Sequence, residues 1–250
     1  MTKLKAILIT LIVSLSSFGQ SVPLTSSPRD VAVDSKDNVF VLVKYGIIKI
    51  TPDGTLIELR KIEGNRALDV TFYNLVIDSK DNLFVAKDNI IKRIRISDDN
   101  KATIENYAGD PYKYRIADGN RNTAMFTNID RMAIDKNDNL YVTDSYDKIS
   151  DQIGTNYVTD PFYGKDKKLK YLKNFSLIRK ISATGEVSTL KNAEGKYVLP
   201  NGLAGMTCDV DGNLIYTTGG IARSVEKINL STGAFIHIAG KPYKREWCPV

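Results

Sequence analysis

The chain is predicted to be all-β, made of a four-stranded antiparallel unit that occurs four times, and three observations predict it. First, an Asp/Asn turn recurs: Asp34-Ser35-Lys36-Asp37-Asn38, Asp78-Ser79-Lys80-Asp81-Asn82, Asp135-Lys136-Asn137-Asp138-Asn139 and Asp209-Val210-Asp211-Gly212-Asn213. Second, each turn joins two short apolar runs: VAV to VFVLV, LVI to LFVA, MAI to LYVT, and MTC to LIYT. Third, each copy continues with a basic–apolar pair (Lys49-Ile50, Arg93-Ile94, Lys180-Ile181, Lys227-Ile228), a second turn and a fourth apolar run.

The residue chemistry suits these positions. Asp and Asn side chains bond to nearby backbone and tolerate left-handed conformations, so they close tight turns. Aliphatic, β-branched and aromatic residues fill the strands between them. The turn starts at 34, 78, 135 and 209 are 44, 57 and 74 residues apart. Without insertions the unit approaches the ~40–50 residues of a propeller blade, so the expected fold is a β-propeller with four blades visible. The expected blades span about 28–60, 71–107, 128–190 and 200–240.

The third copy also resembles an NHL repeat. The resemblance lies in the lead-in AGDPYKYRIADGNRNTAMF, in DNLYVTDS, and in LIRKIS followed by TGEVSTL. It extends more loosely over about 28–240. NHL-type propellers belong to the six-bladed TolB-like and SMP-30-like class, so the resemblance implies that four blades are part of a six-bladed ring. The missing blades would come from a C-terminal part or from another chain. It also implies that the 108–128 connection packs along a blade edge. The fold hosts many activities, so function has to be sought in a site.

The N-terminus reads as a cleavable signal peptide over 1–19. Lys3 and Lys5 precede a ten-residue apolar core, and Ser17-Phe18-Gly19 fits a small-x-small cleavage site. Cutting after Gln20 fits nearly as well. The apolar core is well short of the ~20 residues that span a bilayer. The expectation is therefore a secreted or periplasmic chain with no membrane span and a propeller domain over 20–250. Cleavage removes two lysines and lowers the formal charge from +6 to +4. At 42% hydrophobic and 26% charged, the composition is that of an ordinary globular protein. Of the two cysteines, Cys208 falls in an inner strand, where a packed free thiol is expected; pairing with Cys248 is the alternative in an oxidising compartment.

Between LYVTDS and the third strand of the third copy stands an insertion, 146–176, where the family pattern has only a few residues. It carries Tyr146, Tyr157, Phe162, Tyr163, Tyr171 and Phe175, and a lysine-rich run that includes Lys168. Long loops in compact domains are functional or disordered. Strand alternation puts the insertion at the same end of the blades as the inter-blade links. There it is expected to cover a central pocket beside Arg29, Asn74, Arg131 and Asn201; a solvated surface loop is the competing reading.

No catalytic set is present. The chain has no G-x-S-x-G, H-E-x-x-H, P-loop or dinucleotide fingerprint. Its one histidine, His237, falls in an outer strand, which speaks against a Ser–His–Asp triad and against a multi-histidine zinc site. Asp209–Asn213 resembles the start of an EF-hand loop, but position twelve is Gly220 and not Glu, so a hairpin turn is expected. The lysine-rich run resembles the basic face of RNA-binding NHL propellers, but it is read as solvated surface, with no nucleic-acid partner. The expectation is a non-catalytic module without a cofactor that binds a protein, peptide or glycan. The alternative is a lactonase of the SMP-30-like kind. There the resemblance of Pro200-Asn201-Gly202-Leu203 to a ligand motif puts Asn201 on a divalent metal such as calcium or zinc. The E-G-P that such enzymes carry near the first blade reads Ser27-Pro28-Arg29-Asp30 here.

Overall fold

The computed structural model describes residues 27–61, 72–145, 176–195, 197–198, 200, 202–219 and 223–241. The signal-peptide segment, nearly all of the insertion, Asn201 and Cys248 lie outside them. Among the described residues there are only strands, turns and links, with no helix.

Blade 1 is the meander β1 (Pro28–Val33), β2 (Val39–Val43), β3 (Gly46–Ile50) and β4 (Leu56–Glu58). The two-residue β5 (Arg60–Lys61) leaves that sheet. Blade 2 is β6 (Asn74–Ile77), β7 (Leu83–Lys87), β8 (Ile90–Ile96) and β9 (Lys101–Ala108). After β10 (Gly119–Asn120) comes blade 3, formed by β11 (Ile129–Ile134), β12 (Leu140–Ser145), β13 (Ser176–Ile181) and β14 (Glu186–Thr189). Blade 4 is β15 (Leu203–Cys208), β16 (Leu214–Thr218), β17 (Ser224–Ile228) and β18 (Phe235–Gly240). The chain is an all-β propeller of four-stranded antiparallel blades, as its repeat predicts. Two sheets gain a fifth strand. β5 pairs parallel with β9, and β10 pairs antiparallel with β14. The 108–128 connection thus runs along a blade edge, where it covers an otherwise unpaired strand.

The turns explain why the strands start where they do. Asp34 Oδ1 accepts from the N–H groups of Lys36 and Asn38, and Asn38 Nδ2 donates to Asp34 Oδ2. The same set closes the turns at Asp78, Asp135 and Asp209. The fourth turn residue has positive φ: 60° at Asp37, 61° at Asp81, 60° at Asp138 and 81° at Gly212. Asp is among the few non-glycine residues that adopt this region readily.

Strand alternation gives each blade a leading face toward the next blade and a trailing face toward the one before. Phe40, Leu42 and Ile47 of blade 1 meet Leu75, Leu83 and Ile94 of blade 2. Phe84, Ala86 and Ile91 meet Met132, Leu140 and Val142 of blade 3, with Phe126 of the link between them. Ala133, Tyr141 and Ile178 meet Leu214, Tyr216 and Ile228 of blade 4. The core is therefore three slabs, one per junction. Burying one Leu, Ile or Phe contributes about 1.5–3 kcal/mol. The inner strands lie in series: β1 packs on β6, β6 on β11 and β11 on β15.

The first two junctions are also pinned by a Ser–Asp pair between turns. Asp81 accepts from the N–H and hydroxyl of Ser35, at 2.8 and 2.7 Å. Asp138 does the same for Ser79, at the same two distances. The third junction lacks this pair, because Lys136 replaces the serine and Gly212 the aspartate.

Candidate functional site

The end of the blades that bears the insertion collects the β2–β3 turns, the starts of the inner strands and the inter-blade links. Ser145 and Ser176 are cross-strand partners, so the chain leaves and rejoins blade 3 at this end. Tyr146, Tyr157, Tyr163, Lys168 and Asn201 lie outside the described residues.

Arg29, Asn74 and Arg131 are all at this end, and each reaches the next blade. An Arg29 guanidinium nitrogen donates to the carbonyl of Phe72 at 2.9 Å. Asn74 Nδ2 donates to the carbonyl of Asp130 at 3.0 Å. Arg131 Nε donates to the carbonyl of Ala204 at 2.5 Å. Asp30 reinforces the first step by accepting from the Leu75 N–H at 2.8 Å. These side chains clasp successive inner strands. Asn74 is 4% exposed, and its amide serves the junction.

Three aromatic residues that the sequence reading passed over stand open at the same end. Tyr45, in the β2–β3 turn of blade 1, is 56% exposed, and Tyr73, just before β6, is 53% exposed. Tyr112, in the link after β9, is 90% exposed. A cation lies over two of these rings. The Arg29 guanidinium is 4.7 Å from the Tyr73 centroid, and Lys44 Nζ is 4.8 Å from that of Tyr45. The link bearing Tyr112 is held by Asn89, whose Nδ2 donates to the carbonyls of Asp110 and Lys113. Gly109 makes this approach possible: its φ is 91°, and a Cβ there would stand 2.2 Å from the Asn89 carbonyl oxygen. Gly240 repeats the device at the end of β18, with φ 86° and a Cβ 2.1 Å from the Arg223 oxygen. Ala108-Gly109 and Ala239-Gly240 thus share one kind of backbone crossing.

The opposite end holds a cleft of about 420 Å³ among the Asp turns of blades 1 to 3, lined by Val33, Ile77, Ile134, Asp81, Lys136 and their neighbours. Its carboxylates are engaged in the turns. The Ser35 hydroxyl and N–H hold Asp81 below the usual carboxylate range. Burial works to raise Asp135, but bonds from Asn139, Asn137 and the Tyr141 hydroxyl outweigh it and leave it lowered. Lys227 and Asn213 lower Asp209 in the same way. Among the described residues, no group of three or more His, Cys, Asp or Glu is placed to hold a metal ion.

Within blade 3 lies a buried ion pair. One Arg179 terminal nitrogen is 2.8 Å from Asp144 Oδ2, and neither side chain is exposed. The guanidinium also donates to the carbonyls of Met125 and Ala117 and to Asp118. Asp144 Oδ1 accepts from the N–H groups of Thr127 and Asn128 and from the Thr127 hydroxyl. Burial pushes the Asp144 carboxyl up, against the pull of Arg179 and these donors. Cys208 is a free, half-buried thiol, which burial, with Asp135 and Asp209, pushes up to about 12. His237 Nδ1 is 3.0 Å from Glu226 Oε1 in blade 4.

No family model matches the chain, and no curated protein matches it in sequence. In fold it is similar to solved structures. One is a protein of unknown function from Bacteroides thetaiotaomicron, at 15% identity and a TM-score of 0.51, covering 78% of this chain and 45% of the other. A second is a putative gluconolactonase, at 12% identity and a TM-score of 0.50, covering 86% and 63%. A third is an auxiliary nutrient binding protein from Bacteroides thetaiotaomicron, at 10% identity and a TM-score of 0.49, covering 76% and 45%. The chain thus spans about half the length of the solved structures it matches. At these identities the likeness is one of fold.

Proposed function

We propose that the chain is an exported, non-catalytic propeller module that binds a protein, peptide or glycan on the end bearing the 146–176 insertion. The observation that supports this reading is the group of open aromatics there, Tyr45, Tyr73 and Tyr112, two of them with a cation stacked on the ring. Rigid aromatic faces with adjacent cations supply contact area at low entropic cost, and Tyr and Arg are enriched where proteins meet partners. The 146–175 segment, whose sequence carries further aromatics and lysines, leaves and rejoins blade 3 at this end.

The pairing of Ser145 with Ser176 supplies a clean test. Replacing 146–175 with a two-residue Asn-Gly turn closes β12 and β13 as an ordinary hairpin. On glycan and peptide arrays the shortened protein is expected to lose the intact chain's capture while keeping its melting temperature. Retained capture would remove the insertion from the site.

A second reading has its own support, in the Pro200-Asn201-Gly202-Leu203 motif and the fold shared with a putative gluconolactonase. It makes the chain a divalent-metal-dependent lactonase with Asn201 as a ligand. It expects lactone hydrolysis that a chelator abolishes and Asn201→Ala removes. Inactivity across a lactone panel with added calcium or zinc would sink it.

A further inference from the structure

Three arginines converge on one glutamate at the outer edge of the second junction. Arg93, Arg95 and Glu105 stand on β8 and β9, the outer strands of blade 2. Glu105 Oε1 accepts from Arg93 Nε at 2.6 Å and lies 3.0 Å from one terminal nitrogen of Arg95. Arg121, from the 108–128 connection, lies over the Tyr107 ring at 5.2 Å, and Arg93 lies over the same ring at 5.3 Å. The bond from Arg93, with the charges of Arg93, Arg95 and Arg121, holds the Glu105 carboxyl below its usual range. Three cations thus face one carboxylate, which leaves two positive charges in one place to repel each other. Arg121 is nevertheless fixed. Its backbone N–H donates to the Gly185 carbonyl at 2.7 Å, and its side chain crosses Gly185, where a Cβ would stand 3.2 Å from Arg121 Cδ. Among the described residues, the Arg121 guanidinium has no hydrogen-bond acceptor, and Arg95 engages a single terminal nitrogen. The Arg95 and Glu105 side chains are about half exposed, so the cluster opens to solvent.

We propose that this notch in the side wall binds a dianionic oxyanion, a phosphate or sulfate group, through the free N–H groups of Arg121 and Arg95. A planar guanidinium fork matches such an oxyanion with two parallel hydrogen bonds. A dianion balances the two surplus charges. The Tyr107 face and the Gly185 crossing already hold Arg121 in place, so little side-chain entropy is lost on binding. Glu105 orients Arg93 and Arg95 and competes with the ligand for them. Blades 2 and 3 and the connection between them supply every one of these groups. Gly185 lies in the β13–β14 turn, at the far end of β13 from the insertion, so the notch is separate from the insertion-bearing end.

Titration calorimetry tests this, with inorganic phosphate and phenyl phosphate as probes and ionic strength held constant with sodium chloride. At about pH 8 both probes are dianions, above their second pKa of ~6. One saturable site per chain is expected for phosphate. Arg121→Gln and Arg95→Gln are each expected to weaken it at least about tenfold, the effect of losing a hydrogen bond to a charged acceptor. Glu105→Gln is expected to tighten it, because it removes the competing carboxylate; loss of a merely structural ion pair would not. The probes separate the sources. Binding of phosphate alone marks a site for the free ion, and binding of phenyl phosphate as well marks a site for a phosphate carried on a larger molecule. The proposal is overturned if phosphate gives no saturable binding, if Arg95→Gln leaves the affinity unchanged, or if Glu105→Gln weakens it. Arg95 pairs only with Glu105 among the described residues, so its variant decides the matter even where Arg121→Gln does not fold.

Discussion

Arg179 and Asp144 face each other at 2.8 Å with neither side chain exposed, and the guanidinium serves three further acceptors from the 108–128 connection. Removing one partner of such a pair strands a charge in the core, which costs about 3–5 kcal/mol. Arg179→Met is therefore expected to lower stability by that amount in urea unfolding. Arg179→Lys is expected to recover little, because a single ammonium cannot reproduce the planar fork that reaches Asp144 and Asp118 together. A variant within about 1 kcal/mol of the parent would show that the pair is not what ties the connection to blade 3. This role was only partly legible beforehand. The LIRKIS run put Arg179 in a strand, next to the basic–apolar pair Lys180-Ile181, but nothing in its spacing said that it turns inward. The same holds for Arg29, Asn74 and Arg131. A polar residue at the start of an inner strand reads alike whether it lines a pocket or reaches a neighbouring carbonyl.

At the scale of the blade, the turns were the clearest part of the sequence, because Asp and Asn at fixed offsets do local work that needs no tertiary context. The two short edge strands were hidden: β5 and β10 are two residues each and pair only through backbone. The Ser35–Asp81 and Ser79–Asp138 pins were written in the recurring Asp-Ser-Lys-Asp-Asn pattern, yet each links a turn to the turn of a different blade. Asp81→Gly keeps the backbone conformation and removes the pin. It is expected to cost about 1 kcal/mol, since the pair is solvent-accessible. A loss indistinguishable from zero would mean that the apolar slab alone holds the junction.

Across the molecule, several carboxylates are held below their usual range: Asp81 by Ser35, Glu105 by Arg93, and Asp99 by Lys101 and Ser97, the last to about 2. A carboxylate whose pKa is lower folded than unfolded contributes stability above its unfolded pKa of ~3.9–4.3. That contribution is lost as pH falls through the lower, folded value. Urea midpoints are thus expected to be level above about pH 5 and to fall between about pH 4 and 2, with a shallower acid limb in Asp81→Gly. An identical acid limb in that variant would deny Asp81 its share.

The insertion-bearing end is the proposed binding face, and its open aromatics could not be foreseen, because a tyrosine beside a strand is as often packed as exposed. The most direct measurement is ligand capture by a Tyr45→Ala, Tyr73→Ala double variant, set beside its melting curve. Both rings are more than half exposed, so their loss is expected to leave melting unchanged while capture on the arrays falls at least about tenfold, as for hot-spot aromatics. Full capture by a variant that melts like the parent would contradict the assignment of this end as the binding face.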